Sequence, residues 1–529
     1  MRASSRWVTL VCAGALVGGL LASGPAASAA DAAAASRVTV HIKGINRDGN
    51  VVAAQGATLV GNEGFPIPVT DTDTARVSRQ TYLIGAQIPT YSGQQVTSET
   101  LVVQRVRVRA GGTIVLNARH GKRLRVTLLG AAAADQNLTA AACLYSPSGS
   151  AALPVSASGG PGTPVYVVPV KSARVAFSYL DDLQSASGVS YLLYGTANRR
   201  IPAGPDYQQS VRRLARVDLT LKGGADPTAS AILTVQPGSL SSICGVGTQF
   251  GATISGPFST VDYQTAGEWT TSIQTEATPP ARQGDELYEA RQYRAGRTYS
   301  DTYGSAVVGP SGDFPEIEGN IFNFSPQAMF NDPNPLLFGG AFAATNVITL
   351  RLRGHVVRKQ TWSSSCQTCF QPTLRKAGWY QLSVNSRRSN SGDLLSPKVS
   401  LTWRFHVSPA APAGNWVSFP VTETVYRPAG LNLLNQAPAG GHTTLRISVD
   451  RAGSEFSHAP RYRLRTVAVQ MSVNDGATWR TLKLTRRGSY WLATVPDPAS
   501  GYVSLRSVVT DVHGDSTVQT VDRAFAIAG

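Results

Sequence analysis

The chain has 529 residues, 42% of them hydrophobic, with 48 lysines and arginines against 32 acids and a formal net charge of +16 at pH 7. At roughly 150 residues per domain this is enough for three or four cores, and beyond the N-terminal segment no run reaches the roughly 18 apolar residues of a membrane-spanning helix, which excludes a helical membrane protein. A charged fraction of 15%, against about 25% in average domains, fits a serine- and threonine-rich exterior.

Arg2 and Arg6, an apolar run over residues 7–21 and the small-residue site Ala27-Ser28-Ala29 have the layout of a secretory leader over residues 1–29. The mature chain is expected to begin at Ala30, to be secreted and soluble, and to carry +14 once Arg2 and Arg6 have left. For an exported basic protein the anionic partners are cell-wall polymers, acidic glycans and membrane surfaces rather than nucleic acid. A solvated arginine-rich exterior accounts for the same composition.

The next units read as strands. Val38, Val40 and Ile42 alternate with Thr39, His41 and Lys43, Arg47-Asp48-Gly49 turns the chain, and Val106 and Val108 alternate with Arg105, Arg107 and Arg109. Residues 30–120 therefore form a small β-sandwich, whose layout is similar to the prealbumin-like regulatory domains of secreted peptidases. Residues 121–210 form a second sandwich, interrupted by an exposed Pro-Gly loop over residues 156–164. Residues 211–407 form a larger β-sandwich region, residues 408–414 a short stiff linker, and residues 415–529 an immunoglobulin-like sandwich. The only helical candidates are short, at residues 208–213 and 285–291, so the fold class is all-β, a tandem array of sandwiches.

Cys12 leaves with the leader, so Cys143, Cys244, Cys366 and Cys369 remain as disulfide candidates in an oxidising compartment. Three connectivities are open; Cys366 with Cys369 in a polar loop and Cys143 with Cys244 between units is the favoured one. A zinc site would need a second close pair, and a thioredoxin-like role would need a helix after Cys369.

Met471 to Trp491 reads as a half-buried hairpin, with strand residues leading into the turn Asn474-Asp475-Gly476, where glycine accepts positive φ. The same segment matches a sialidase-type Asp-box, Ser-x-Asp-x-Gly-x-Thr-Trp, at Ser472, Gly476, Thr478 and Trp479, with Asn474 in place of its aspartate. That resemblance implies a turn held for stability, not catalysis, and a propeller would repeat it.

Chemistry is sparse. Of the seven histidines, His41 alternates outward on a strand and His120, His442 and His513 sit in turn sequences, and there is no His-Glu-x-x-His, Gly-x-Ser-x-Gly or Gly-Thr-Ser-Met-Ala motif. Carboxylates pair at Asp181-Asp182, at Asp285-Glu286 with Glu289, and at Glu316 with Glu318, the composition of a glycosidase site if two groups stand about 5 to 9 Å apart. Asp71, Asp73, Asp511, Asp515 and Asp522 are candidate calcium ligands at sandwich ends or ordinary turn acids. Strand alternation places Arg105, Arg107 and Arg109, Arg123 and Arg125, Arg351 and Arg353, and Arg461, Arg463 and Arg465 in rows that could hold an anionic polymer or be solvated.

Further along, Leu214-Ala-Arg-Val-Asp218, Trp269, Tyr293-Arg-Ala-Gly-Arg-Thr-Tyr299, Tyr303-Gly-Ser-Ala-Val-Val-Gly-Pro310 and Leu401-Thr-Trp-Arg-Phe405 follow one another. Asn435-Gln-Ala-Pro-Ala-Gly440, Asp475-Gly-Ala-Thr-Trp479, Gly501-Tyr-Val-Ser-Leu-Arg506 and Thr510-Asp-Val-His-Gly-Asp515 complete the series. In content and order these blocks resemble the C-terminal accessory region of secreted actinobacterial subtilisin-like serine peptidases, from about residue 214 onward. Thr302-Tyr303-Gly304 stands where that family has Arg-Trp-Asn. The resemblance implies a free-standing accessory array without the peptidase domain and with no catalytic residue to carry over. The chain is expected to be a monomeric, non-enzymatic protein without a metal or organic cofactor, binding an extracellular protein or cell-wall polymer. The competing expectations are a carbohydrate-binding protein that stacks sugars on Trp362, Trp379 and Tyr380, and a secreted hydrolase with an unrecognised carboxylate site.

Overall fold

The structure, a computed structural model, describes residues 37–529 except 63–64, 71–72, 134, 150–151, 225–229, 239–249, 276–284, 313, 335, 342–343, 363–369, 389–393, 408–415 and 452–462. The expected leader and linker, Asp71, Arg461, Cys244, Cys366 and Cys369 lie outside the described residues. What is described is all-β, with 3-10 turns at Ala118–His120, Val211–Arg213 and Gln327–Phe330. No helix of the described residues is long and apolar enough to cross a membrane. Both short helical expectations are corrected. Residues 208–213 divide into the strand Asp206–Ser210 and a 3-10 turn, and residues 285–291 lie in the strand Asp285–Tyr293. That strand has hydrogen-bonded neighbours on both edges, Gly267–Thr275 and Phe338–Ala341, and ladder bonds override a weak local helical preference.

The sheets are stacked and shared. Val40 and Ile42 of the strand Val38–Ile45 are buried while Thr39, His41 and Lys43 are exposed, the alternation of a strand with one wet face. The strand Thr81–Ser92 has no wet face over its centre. Tyr82, Ile84, Ala86 and Ile88 pack with Val40 and Ile42, and Leu83 packs on the other side with Phe177 and Tyr179. Its sheet runs in the order Ile67–Pro68, Gln55–Val60, Thr81–Ser92, Gln95–Arg107, Val165–Val167, Lys122–Arg123, and it serves two cores at once. The Val170–Gln184 strand repeats the device, sending Phe177 and Tyr179 to the second core and Leu180 to the third.

Ladders therefore run across the positions where the sequence suggested boundaries. Val165–Val167 pairs with Gln95–Arg107, Ser190–Ile201 with Phe258–Gln264, and Lys398–Val407 with Ser516–Ile527. Apolar runs such as Tyr82-Leu83-Ile84 and residues 140–144 leave both faces to be covered, so neighbouring units share a sheet instead of each closing its own sandwich.

The C-terminal sheet orders His355–Trp362, Ala344–Leu352, Gly378–Arg388, Lys398–Val407, Ser516–Ile527, Tyr502–Asp511, Leu464–Ser472 and Arg480–Thr481. It packs over the sheet of Thr422–Pro428, His442–Arg451, Tyr490–Pro496 and Thr485–Arg487 through one core holding Trp403, Phe405, Tyr426 and Val521. Trp403 is fully buried and donates its indole N–H to the Thr422 carbonyl at 2.9 Å, so the ring fills the core without stranding its one polar atom.

Candidate functional site

The Met471–Trp491 stretch builds a turn at its first half. Ser472 Oγ accepts from the Gly476 N–H at 2.9 Å and donates to Asn474 Oδ1 at 2.8 Å. Asn474 Oδ1 also accepts from the Thr478 N–H, and its amide donates to Thr478 Oγ1, both at 2.9 Å. Asp475 and Gly476 have φ of 51° and 86°. Asn474 thus supplies the acceptor that an aspartate supplies in the Asp-box pattern, and Trp479 closes over Gly476. The expected single hairpin is corrected beyond this turn. Only Arg480–Thr481 returns along Leu464–Ser472, because Leu482 is buried in the core and carries the chain to the opposite sheet at Thr485–Arg487.

The carboxylates are divided among interiors. Asp181 and Asp182 are adjacent on one strand and so face opposite sides of the sheet. Asp181 accepts from the Gln136 amide at 2.8 Å, whereas Gln184 donates to Asp182 at 3.3 Å. Burial first, then the Asp182 charge, disfavours ionisation of Asp262, which comes from the strand Phe258–Gln264. Burial pushes Asp181 up to about 8, Asp182 to about 6 and Asp262 to about 7, and the Asp182 charge adds to the rise at Asp181 and Asp262.

A second interior group joins two sheets. Tyr293 donates to Asp301 Oδ2 and Tyr303 donates to Glu289 Oε2 at 3.4 Å, while Arg291 bonds Asp301 and lies 3.7 Å from Glu289. Burial first, then the Asp301 charge, holds Glu289 up at about 7. Of the expected Asp285-Glu286-Glu289 group, only the Glu289 side chain is described. Glu316 and Glu318 flank the buried Ile317, and Glu316 accepts from Ser418 Oγ at 3.3 Å.

Of the calcium candidates, Asp511 and Asp515 are buried turn acids and Asp522 is half-buried. Asp511 Oδ1 accepts from the N–H groups of His513 and Asp515, Asp515 Oδ1 accepts from the His406 N–H, and Asp522 pairs with Lys398 at 3.6 Å. Among the described residues no group of three or more His, Cys, Asp or Glu side chains could hold a metal ion. Cys143 is disulfide-bonded and borders a cavity of about 170 Å³ with Ala141, Ser178, Tyr194 and Thr196.

The aromatic platform is corrected. Tyr380 is 2% exposed and in the core, while Trp379, on the opposite face of the same strand, is half-buried beneath the Arg404 guanidinium at 4.1 Å. Alternation along a strand cannot place both rings on one surface. The arginine rows are also separate. Arg105 and Arg107 are exposed on the strand Gln95–Arg107, and Arg109 is exposed just past its end. Arg463 precedes the strand Leu464–Ser472, and Arg465 falls at a break in its register. The two rows belong to different sheets and do not form one stripe.

The larger signal is the partition of charge. Eleven aspartates and glutamates are buried, whereas no lysine or arginine is buried among the described residues. Sequence reading found the arginines but not this asymmetry, because buried acids such as Asp262 and Asp301 lie in strands whose neighbours come from distant segments.

No known family matches the chain, and no curated protein does. Solved structures give weak likenesses. Alpha-2-macroglobulin of Escherichia coli activated by porcine elastase has 9% identity and a TM-score of 0.13, covering 93% of this chain and 53% of that one. The native E. coli protein has 8% identity and a TM-score of 0.17, covering 92% and 40%. Salmonella alpha-2-macroglobulin reacted with methylamine has 8% identity and a TM-score of 0.14, covering 89% and 40%. The chain thus spans about half or less of these proteins, and at such TM-scores the likeness carries no argument about function.

Proposed function

We propose that this is a secreted, non-enzymatic, monomeric protein of tandem β-sandwiches, akin to the accessory region of subtilisin-like peptidases, that binds an anionic extracellular partner, a cell-wall polymer or an acidic protein. The observation that carries the reading is the partition of charge. Among the described residues eleven acids are buried and no lysine or arginine is, and burial holds Asp181, Asp262, Glu289 and Asp332 at about 7 to 8, so part of the negative charge counted in the sequence is neutralised near pH 7. The exterior of the mature chain is then more basic than its +14 implies, the condition for electrostatic capture of a polyanion. As part of the same proposal, Cys143 pairs with Cys244.

The test is co-sedimentation of the mature protein with isolated cell walls across a salt series. Capture that weakens steeply as salt rises supports the reading, and salt-independent capture or none overturns it. The runner-up, a hydrolase, has Glu289 and Asp301 as its sharpest candidates because one arginine reaches both. Turnover of cell-wall glycans or casein that is lost in Glu289→Gln would establish that reading instead.

A further inference from the structure

The run Arg119-His120-Gly121-Lys122-Arg123-Leu124-Arg125 carries five basic residues in seven, and the structure makes a fixed ridge of it. Asn117 Oδ1 accepts the Arg119 N–H at 3.0 Å, and the Gly121 N–H closes the 3-10 turn on the Ala118 carbonyl at 3.0 Å. Lys122 and Arg123 then pair with Val167 and Tyr166. Leu124, 2% exposed, anchors the segment in the second core and bonds the Val165 carbonyl through its N–H at 2.9 Å. Arg47 lies 3.5 Å over the Tyr166 ring and donates to the Gly121 carbonyl at 3.1 Å.

Arg119, His120, Lys122, Arg123 and Arg125 are all exposed, and among the described residues none has an ion pair. The one acid across the adjoining ladder is Asp206, opposite Arg125. Because Lys122–Arg123 is the outer strand of its sheet, charge there also discourages edge-to-edge pairing. Edge protection does not account for the charges that continue onto the turn before it and the strand after it.

We infer that this ridge binds a linear polyol-phosphate polymer, a deduction that rests on the proposed anion-binding function and names its surface and ligand. Arginine forks match phosphate oxygens bidentately, and a backbone pinned by Leu124 and Asn117 presents them with little ordering left to pay on binding. With Leu124 turned inward, Arg123 ends the outer strand of one sheet and Arg125 opens the strand of the next, so exposed cations follow one another along the ridge for successive charges on an extended chain. Nucleic acid is disfavoured because single strands are gripped by stacking on open aromatic faces, and the aromatic of this ridge, Tyr166, is covered by Arg47.

The test measures binding of the full mature chain to fluorescent poly(glycerol phosphate) over a salt series, with a single-stranded oligonucleotide and poly-L-glutamate as competitors. The triple variant R119E/K122E/R123E is compared with R105E/R107E/R463E, which changes the same number of exposed charges elsewhere. The inference expects at least tenfold weaker binding and a shallower salt slope for the ridge variant, and less than threefold for the control. Should the ridge variant melt early, R119Q/R123Q replaces it, with at least threefold weakening expected. Equal losses in both variants, or tighter binding of the oligonucleotide or polyglutamate, overturn the ridge or its ligand class. Wild type that binds walls and polymer with an unaffected ridge variant sinks this inference alone, whereas wild type that binds neither sinks the proposed function.

Discussion

Arg523 and Asp475 meet through two parallel hydrogen bonds of 3.1 and 3.0 Å, fastening the 472–479 turn to a strand 48 residues later in the chain. Both side chains are substantially exposed, so the pair is screened and contributes at most about 1 kcal/mol. The backbone beneath it matters more. Gly476 has φ of 86°, and a Cβ there would lie 3.3 Å from the Trp479 ring. Gly476→Val is therefore expected to cost roughly 2–3 kcal/mol, combining positive-φ strain with displacement of the indole, whereas Asp475→Ala costs less than about 1 kcal/mol. Urea denaturation of the two variants checks the order, and a reversed order would mean that the ion pair, not the turn, holds this corner.

Stability should depend on pH through the buried aspartates. Burial raises Asp181 to about 8, Asp262 to about 7 and Asp182 to about 6. Between about pH 4 and 8 the folded chain keeps protons that the unfolded chain has released, so stability falls as pH rises through that window. At about 1.4 kcal/mol per pH unit for a fully differing group, Asp181 alone accounts for a loss of order 2–4 kcal/mol from pH 5 to pH 8. Asp181→Asn keeps an acceptor for Gln136 and removes the charge, so its urea midpoints at the two pH values should lie closer together than those of wild type. Equal wild-type midpoints at pH 5 and pH 8 would count against protonated interior acids.

Much of the local structure was legible from the residues. Val40 and Ile42 against Thr39 and His41 gave a one-faced strand, Arg47-Asp48-Gly49 gave a turn in which Gly49 has φ of 92°, and Ser472 through Trp479 gave the turn that forms. Sheet sharing was not legible. The apolar run Tyr82-Leu83-Ile84 announces two buried faces, but no local pattern states that the second face meets Phe177 and Tyr179. The interior acids failed for the same reason. Asp181-Asp182 was visible as a pair, yet Asp262 joins it through a parallel pairing of Ser190–Ile201 with Phe258–Gln264. Asp301 reaches Arg291 although the two lie on strands of different sheets.

The Glu289–Arg291–Asp301 group is expected to hold two sheets together. Removing Asp301 leaves Arg291 without its nearest carboxylate and the Tyr293 hydroxyl without an acceptor in a buried site. Asp301→Leu should then cost about 3–5 kcal/mol, the range for breaking a buried charge pair from one side. Glu289→Gln, which preserves an acceptor for Tyr303 and removes a carboxylate already held near neutrality, should cost about 1 kcal/mol or less. Thermal melts at pH 7 separate the two, and comparable costs for both would show that the network does not depend on the Asp301 charge.

The stacking of sheets is tested at Gly85, where the Thr81–Ser92 strand faces the Ala152–Gly159 strand of the next layer. A Cβ on Gly85 would lie 2.6 Å from Val155 Cγ2 and 2.9 Å from Leu144 Cδ1, closer than packed carbons come. Gly85→Ala must therefore push the two sheets apart or force Val155 from its rotamer, an overpacking cost of about 1–3 kcal/mol. Val155→Ala alone opens a cavity and should also destabilise, by about 1–3 kcal/mol. If the layers meet as described, the double variant regains part of both losses, because the new methyl fills space that the valine vacates. The two changes should then be coupled by at least about 0.5 kcal/mol in a double-mutant cycle. Strictly additive losses would mean that Gly85 and Val155 do not share one interface, and the two-faced sheet that joins the first and second cores would have to be abandoned.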